Sequence, residues 1–290
     1  MNRTTTILAA ACLPLALAGA PQIALAQDSD GPSASEEIGL NLDVGFATAY
    51  VFRGWNMFQK ASQMDPHMLF APGAAWAIGE SGVTIAYWSA YQITGSNSRA
   101  NTDGALNVEQ DLIVSYDLEL GSDVGLSFAL ASYMYPAADP VVMGTAMPVY
   151  LDPMVALSYA APVDLRLAVS YFAGVQDEPY IWGNSYLYLN PSVGKSWELD
   201  EHVGLDLALG YGLKVPNEGM EGRDNIHDVT LTAATPIHPG GPSAYVTPSI
   251  GLGWTNVEDV TDEETSEVID DKGFGDGFVL WAAVNLGLDI

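Results

Sequence analysis

Carboxylates recur at every second residue in several stretches of this chain. Glu109 and Asp111 form one such pair, and Asp117 and Glu119 form another. Asp43, Asp152, Asp164, Asp206 and Asp228 stand singly in similar alternating surroundings, with Arg53, Arg166 and Lys214 as the cations among them. Closely spaced carboxylates can exchange protons, hold a hard cation, or line a water-filled passage that favours cations. The first use needs a companion nucleophile or base. The sequence has no Gly-x-Ser-x-Gly elbow. His67, His202, His227 and His238 are scattered without metal-ligand spacing. The acidic run Asn256 to Asp271 lacks the turn glycine of a calcium-binding loop, so a solvated loop is expected there, with divalent-cation binding left open. No catalytic residue, metal ligand or cofactor site is expected. The passage is the reading these residues support best.

What must position them is a strand. From Leu40 to Phe52 one parity reads Leu40, Leu42, Val44, Phe46, Thr48, Tyr50, Phe52, and the other Asn41, Asp43, Gly45, Ala47, Ala49, Val51. The same grammar sets Leu112, Val114, Tyr116, Leu118 and Leu120 against Glu109, Asp111, Ser115, Asp117 and Glu119. Leu205, Leu207, Leu209, Tyr211 and Leu213 oppose Asp206, Ala208, Gly210, Gly212 and Lys214. At 3.6 residues per turn these leucines would circle a helix, so period two is the consistent reading. The pattern predicts strands at about 38–55, 63–78, 82–94, 106–120, 123–135, 149–160, 163–175, 184–199, 203–215, 225–237, 243–255 and 276–290. Tight turns such as Gly121-Ser122 and Asp200-Glu-His202 alternate with long loops at about 56–62, 95–105, 136–148, 176–183, 216–224 and 256–275.

The segment ahead of the strands has a basic start, Asn2-Arg3, then an apolar run from Ile7 to Ala24 and the small-residue site Ala24-Leu25-Ala26. This predicts a signal peptide over 1–26, cleaved on export, and a short periplasmic segment over 27–37. Cleavage before Cys12 as a lipoprotein is disfavoured, because Ala9 stands where a leucine is expected and the apolar run continues past it. Cleavage at Ala26 removes Cys12, the one cysteine, and leaves a mature chain that relies on its fold without a disulfide. Nine lysines and arginines against thirty-six acids, a net charge of −27, argue against nucleic acid as a partner.

An exported, apolar chain of long alternating strands, without a run of about 20 apolar residues after the signal, points to an all-β fold. The expectation is a single transmembrane antiparallel up-and-down β-barrel of about 12 strands over residues 38–290. Closure is required because lipid leaves no unpaired strand edge satisfied. Even strand number puts both ends of the barrel chain on the short-turn side, the periplasm. The stripe Phe278, Leu280, Ala282, Val284, Leu286, Leu288, Ile290 suits a final strand. Tyr50, Phe52, Tyr87, Tyr91, Tyr186, Tyr188, Tyr211 and Trp254 are candidates for interfacial girdles. The pore-lining candidates are Arg53, Asp43, Glu109, Asp111, Asp117, Glu119, Asp152, Asp164, Arg166, Asp206, Lys214 and Asp228. An outer-membrane channel for small solutes or ions, cation-preferring, follows as the expected function. The alternative is a non-conducting structural or surface-interaction barrel. Expected partners are outer-membrane lipid and lipopolysaccharide, with the barrel-assembly machinery during insertion. A phospholipase barrel is disfavoured for want of its serine motif, and an autotransporter for want of a passenger ahead of the first strand.

Arg53 ends a run of small and aromatic residues, Ala47-Thr-Ala-Tyr-Val-Phe-Arg-Gly54. It is expected to point inward at the outer rim and pair with Asp65 or Glu109, while Gly54 permits the turn into the loop. Tyr50, Phe52, Arg53 and Gly54 resemble the Ser-Asp-Tyr-x-Phe-Arg-Gly strand end of the TorF-type family of outer-membrane porins, with Thr48-Ala49 in place of Ser-Asp. The resemblance covers one strand; it implies an outer-membrane barrel of porin-like role and no particular substrate. The whole reading predicts that the mature chain stays monodisperse only in detergent or lipid. Size-exclusion chromatography in plain buffer checks it, and a monodisperse peak there would overturn the barrel.

Overall fold

Period-two alternation demands strands, and each strand edge demands a partner. In the computed structural model one closed antiparallel barrel meets both demands. The structure describes residues 39–53, 55–56, 68–93, 108–136, 149–160, 162–175, 185–217, 225–239, 243–256, 260–261, 268–270 and 277–290. The expected signal peptide 1–26 and segment 27–37 lie outside the described residues, as do Gly54, Asp65, His67 and most of the acidic run 256–271.

The strands are β1 (Leu40–Ala47), β2 (Val51–Phe52), β3 (Trp55–Asn56), β4 (Leu69–Ala77), β5 (Val83–Gln92), β6 (Val108–Glu119), β7 (Val124–Met134) and β8 (Val149–Ala160). They continue with β9 (Asp164–Gly174), β10 (Tyr186–Asp200), β11 (Val203–Pro216), β12 (Ile226–Ala234), β13 (Ala244–Thr255), β14 (Val260–Thr261), β15 (Val268–Asp270) and β16 (Phe278–Asp289). Twelve of them form the wall, in the order β1-β16-β13-β12-β11-β10-β9-β8-β7-β6-β5-β4 and back to β1. Neighbours in the wall are neighbours in sequence, which is the up-and-down topology. The two short pairs, β2–β3 and β14–β15, stand apart from it.

Closure is made where the first and last strands of the wall meet. β1 runs beside β16 from Asn41 opposite Asp289 to Ala47 opposite Ala283. Leu40 and Ile290 exchange two backbone hydrogen bonds, at 3.2 and 2.8 Å. No edge is left to recruit a foreign strand.

The two faces sort as the alternation requires. Leu112, Val114, Tyr116 and Leu118 of β6 are exposed on the outside, as are Leu165, Leu167 and Tyr171 of β9 and Leu207, Leu209 and Tyr211 of β11. An apolar surface of this extent is explained by lipid contact and by nothing a soluble barrel needs. Trp76, Tyr116, Tyr159 and Trp197 stand outside near the tight-turn end, and Tyr171, Tyr211 and Phe278 outside near the other. These are the aromatic belts. Tyr211 was expected there and is there; Tyr91 and Trp254 lie on the outer parity near the same end, and Tyr87 faces outward in mid-wall. Tyr186, Tyr188, Tyr50 and Phe52 were expected outside and instead are buried within the barrel. Tyr186 and Tyr188 share their parity with Asn190, Ser192 and Gly194, the lumen parity of β10. Their outward neighbours are Leu187 and Leu189.

The inner stripe changes along each strand. From the turn end of β7 it reads Gly125, Ser127, Ala129, Ala131, Tyr133 and continues to Tyr135. On β8 it runs back through Ser158, Ala156, Met154 and Asp152 to Tyr150. On β16 it runs from Gly287 through Asn285 and Ala283 to Trp281. Mostly small residues line the turn half, where Tyr245 lies over Gly287, and aromatic rings fill the loop half. Several glycines exist to give those rings room. A Cβ at Gly251 would collide with the Trp281 indole, which lies across the inner face of β13.

Two substitutions separate the faces. Leu209→Arg, midway along β11 on the outside, is expected to cost about 2–4 kcal/mol of folding stability in lipid. Thr230→Arg on the lumen face of the adjacent strand is expected to cost clearly less. Urea titration of folding into vesicles checks the contrast, and equal losses would remove the assignment of the two faces.

Candidate functional site

The wall's first strand stops earlier than its alternation does. Thr48 makes the last ties to it: its amide donates to the Ala282 carbonyl at 2.9 Å, and its hydroxyl accepts from the Ala282 amide at 3.0 Å. Beyond Thr48 the chain turns into the lumen. Ala49 and Val51 pack on Trp281 and Val279. β2 and β3 then pair as a small hairpin, Val51 opposite Asn56 and Phe52 opposite Trp55. Arg53 sits at its tip with φ of +48°. A left-handed backbone is uncommon for a residue with a Cβ and typical of a two-residue hairpin turn.

Each residue of the hairpin's first arm reaches a different part of the wall. Tyr50 donates its hydroxyl to the Glu109 carboxylate of β6, 3.0 Å from each oxygen, and packs near Trp88 of β5. Phe52 meets Tyr133 edge-on and lies beside Phe172 of β9. Arg53 reaches furthest. Its Nη2 pairs with Asp152 Oδ2 of β8 and donates to Ser170 Oγ of β9 at 3.0 Å, while Nη1 donates to Tyr186 OH of β10 at 3.2 Å. In the strand order β9 is the sixth neighbour from β1 in either direction, so the chain spans the lumen to the far wall. Arg53 was expected to pair with Asp65 or Glu109. Its partner is Asp152, because the hairpin carries it past Glu109, and Tyr50 takes Glu109 instead.

A guanidinium held this deep needs more than one carboxylate. It has aromatic faces as well. Arg53 Cζ lies 4.6 Å from the Tyr188 ring centre, 4.9 Å from Phe52, 5.6 Å from Tyr186 and 5.7 Å from Phe172. Tyr150, Phe172 and Tyr186 stack in sequence at 4.9 Å spacings behind it. Rings over a planar cation supply attraction without competing for water. Tyr133 OH also donates to Asp152, at 3.3 Å.

The remaining sequence candidates divide by depth. Glu109, Asp111, Asp152, Lys214 and Asp228 are buried in this same loop-half layer with Arg53. Asp111 and Glu109 stand two residues apart on the same inner stripe of β6. Asp228 accepts from Tyr188 OH at 3.1 and 3.2 Å, and Lys214 Nζ stands 4.7 Å from the Tyr186 ring centre. Asp206 is buried on the inner face nearer the turns, and Asp43, Asp117 and Arg166 are half-buried in the turn half. Asp117 accepts from Ser127 Oγ across the β6–β7 pair. Glu119 and Asp164 are exposed at the turn rim. The structure therefore draws Arg53, Glu109, Asp111, Asp152, Lys214 and Asp228 into one layer and leaves the others below it. Sequence reasoning missed Ser170, Tyr133, Tyr150, Phe172 and Trp281. Their signal was an inner stripe that ends in a large ring.

No known family profile matches the chain, and no curated protein is similar in sequence. Solved structures do resemble its fold. The KdgM porin in complex with disordered oligogalacturonate superimposes with a TM-score of 0.50 at 7% identity, over 86% of this chain and 99% of that one. The NanC porin gives 0.45 at 9% identity, over 87% and 98%. An outer-membrane channel from Pseudomonas putida F1 gives 0.45 at 8% identity, over 90% and 100%. The likeness to KdgM is one of fold, the outer-membrane type of barrel.

Breaking the central pair tests the layer. Asp152→Asn leaves Arg53 buried without its counter-charge and is expected to cost about 3–5 kcal/mol. Replacing both partners by apolar residues, Arg53→Met with Asp152→Leu, is expected to restore most of that loss. Urea unfolding from lipid vesicles measures both. A neutral effect of Asp152→Asn would mean that the hairpin does not sit across the lumen.

Proposed function

We propose that this protein is a bacterial outer-membrane channel for small solutes or ions, cation-preferring, with the β2–β3 hairpin as its constriction. The observation that carries the reading is the charged hairpin itself. A barrel that served only as a membrane anchor could fill its centre with apolar side chains at lower cost than by burying an arginine and its carboxylate. Here the chain leaves the wall to set a charge across an interior lined elsewhere mostly by small residues, with Asp43, Asp117, Arg166 and Asp206 among them. Constrictions of mixed charge and small lining residues are what solute selection in a pore requires.

The sign of the selectivity comes from a count. In the constriction layer the described acids are Glu109, Asp111, Asp152 and Asp228, and the described cations are Arg53 and Lys214. Asp206, Asp43 and Asp117 add to the acids below it, with Arg166 on the other side. The excess of carboxylates favours cations and opposes anions. The KdgM structure holds oligogalacturonate, a chain of acid sugars. The carboxylate excess weighs against such a cargo for this chain. The TorF-type resemblance of Tyr50, Phe52, Arg53 and Gly54 supports the same porin-like role. Lipid and lipopolysaccharide around the apolar band, and the assembly machinery acting on the closing strands, are the partners such a barrel would have.

Planar-bilayer recording tests the reading. Wild-type protein is expected to pass small currents with potassium preferred over chloride, and Arg53→Ala to pass currents several-fold larger. Chloride preference would overturn the selectivity. Absence of current in both proteins would overturn the channel and leave a structural barrel.

A further inference from the structure

We infer that the lumen wall carries a guanidinium-binding pocket that the chain's own Arg53 fills, and that small alkylguanidinium cations are ligands for it. The pocket belongs to the wall. Asp152 comes from β8, where it is paired with Ala131 of β7, Ser170 and Phe172 come from β9, and Tyr186 and Tyr188 from β10, which pairs with β9 without a break. Only Phe52 comes from the hairpin. Removing the hairpin's side chain would leave the carboxylate, the hydroxyls and the rings where they are.

The chemistry of the pocket matches a guanidinium in each part. One carboxylate and two hydroxyl oxygens accept from its nitrogens. Three wall rings lie within 5.7 Å of its central carbon. A planar, weakly hydrated cation gains from both kinds of contact, whereas a compact ammonium would use only the first well.

Arg53 fills the pocket imperfectly. It engages Asp152 through Oδ2, and the other oxygen, Oδ1, is buried with no hydrogen-bond partner. A guanidinium meets a carboxylate best through two parallel bonds. The tethered side chain does not make the second one, because its Cα is fixed at the tip of the hairpin turn. A free alkylguanidinium carries neither constraint and can take both oxygens. With Arg53 gone, the acids of this layer, Glu109, Asp111, Asp152 and Asp228, would face Lys214 alone among the described cations. That balance draws a cation in. The pocket thereby names a cargo class for the passage, a step that rests on the channel reading; binding of the guanidinium does not.

Chemical rescue tests the pocket. Arg53→Ala is purified in detergent and its thermal unfolding followed with ethylguanidinium chloride, against potassium chloride and ethylammonium chloride at equal ionic strength. Ethylguanidinium is expected to raise the midpoint by about 2–4 °C relative to the other salts, and the rise to vanish in Arg53→Ala/Asp152→Asn. Equal midpoints in the three salts, or a rise that survives loss of Asp152, would overturn the pocket. Should Arg53→Ala not assemble, Arg53→Gln carries the same measurement. In bilayers, ethylguanidinium is expected to interrupt the potassium current of the single variant at least tenfold more often than that of the double variant. Rescue without any current would uphold the pocket and overturn the channel. Current with neither rescue nor interruption would uphold the channel and overturn the pocket.

Discussion

A backbone amide without water must find its partner within the protein, and the rest of this structure follows from that constraint. The wall has no free edge because β1 and β16 pair along seven residues and tie Leu40 to Ile290. Closure fixes which parity of every strand faces lipid. Once Leu112, Leu167 and Leu209 are committed to the outside, Asp111, Ala168 and Asp206 have only the lumen. The acids of the lumen layer are thus concentrated by topology, not by local sequence. Residues as distant as Glu109 and Asp228 meet in one layer because twelve strands bring them there.

Concentrated acid is unfavourable unless it is compensated, and the hairpin supplies part of the compensation. Its residues act at separate points: Ala49 and Val51 on Trp281, Tyr50 on Glu109, Phe52 on Tyr133, Arg53 on Asp152. Apolar contacts anchor the base, and the charge sits at the tip. The tip contact depends on ionic and hydrogen-bonding chemistry, while the base is held by packing on Trp281 and by the hydrogen bonds of Thr48 and Tyr50. A cation that competes for Asp152 would therefore meet an ion pair at the tip and, among the described residues, no ion pair at the base.

Most of the wall was legible in the sequence. The strand at 149–160 matches β8 residue for residue, and the others agree within a few positions except at the first loop, because period two is a direct image of a sheet with lipid on one face. The expected strand at 38–55 failed for a physical reason. Its inner parity turns from Asn41, Asp43 and Gly45 to Ala47, Ala49 and Val51, and its outer parity stays apolar. A segment apolar on both parities is buried on both sides, which a lipid-facing wall strand of a polar lumen is not. That change marked the departure of the chain inward. Tyr186 and Tyr188 carried a similar signal, since Asn190, Ser192 and Gly194 continue their stripe. The pairing of Arg53 with Asp152 had no sequence signal. Residues 99 positions apart meet only because the hairpin crosses the lumen.

The gradient along the inner stripes divides how the two halves of the barrel are held. Small residues in the turn half leave the lumen little to pack with, so that half depends on its ladders and on lipid outside. The loop half is filled by rings, with Tyr150, Phe172 and Tyr186 stacked and Trp281 laid over Gly251. Apolar packing inside a membrane barrel stabilises through dispersion and exclusion of water from charged pairs, more than through the transfer term that lipid already provides. The rings thus raise the strength of the Arg53–Asp152 contact by drying it. The same rings would make its loss costly, since a dry carboxylate without a cation is the least favourable state available to that layer. Loss of that cation would push the carboxyl toward its neutral form, and the stability of the loop half is thereby tied to the guanidinium at the hairpin tip.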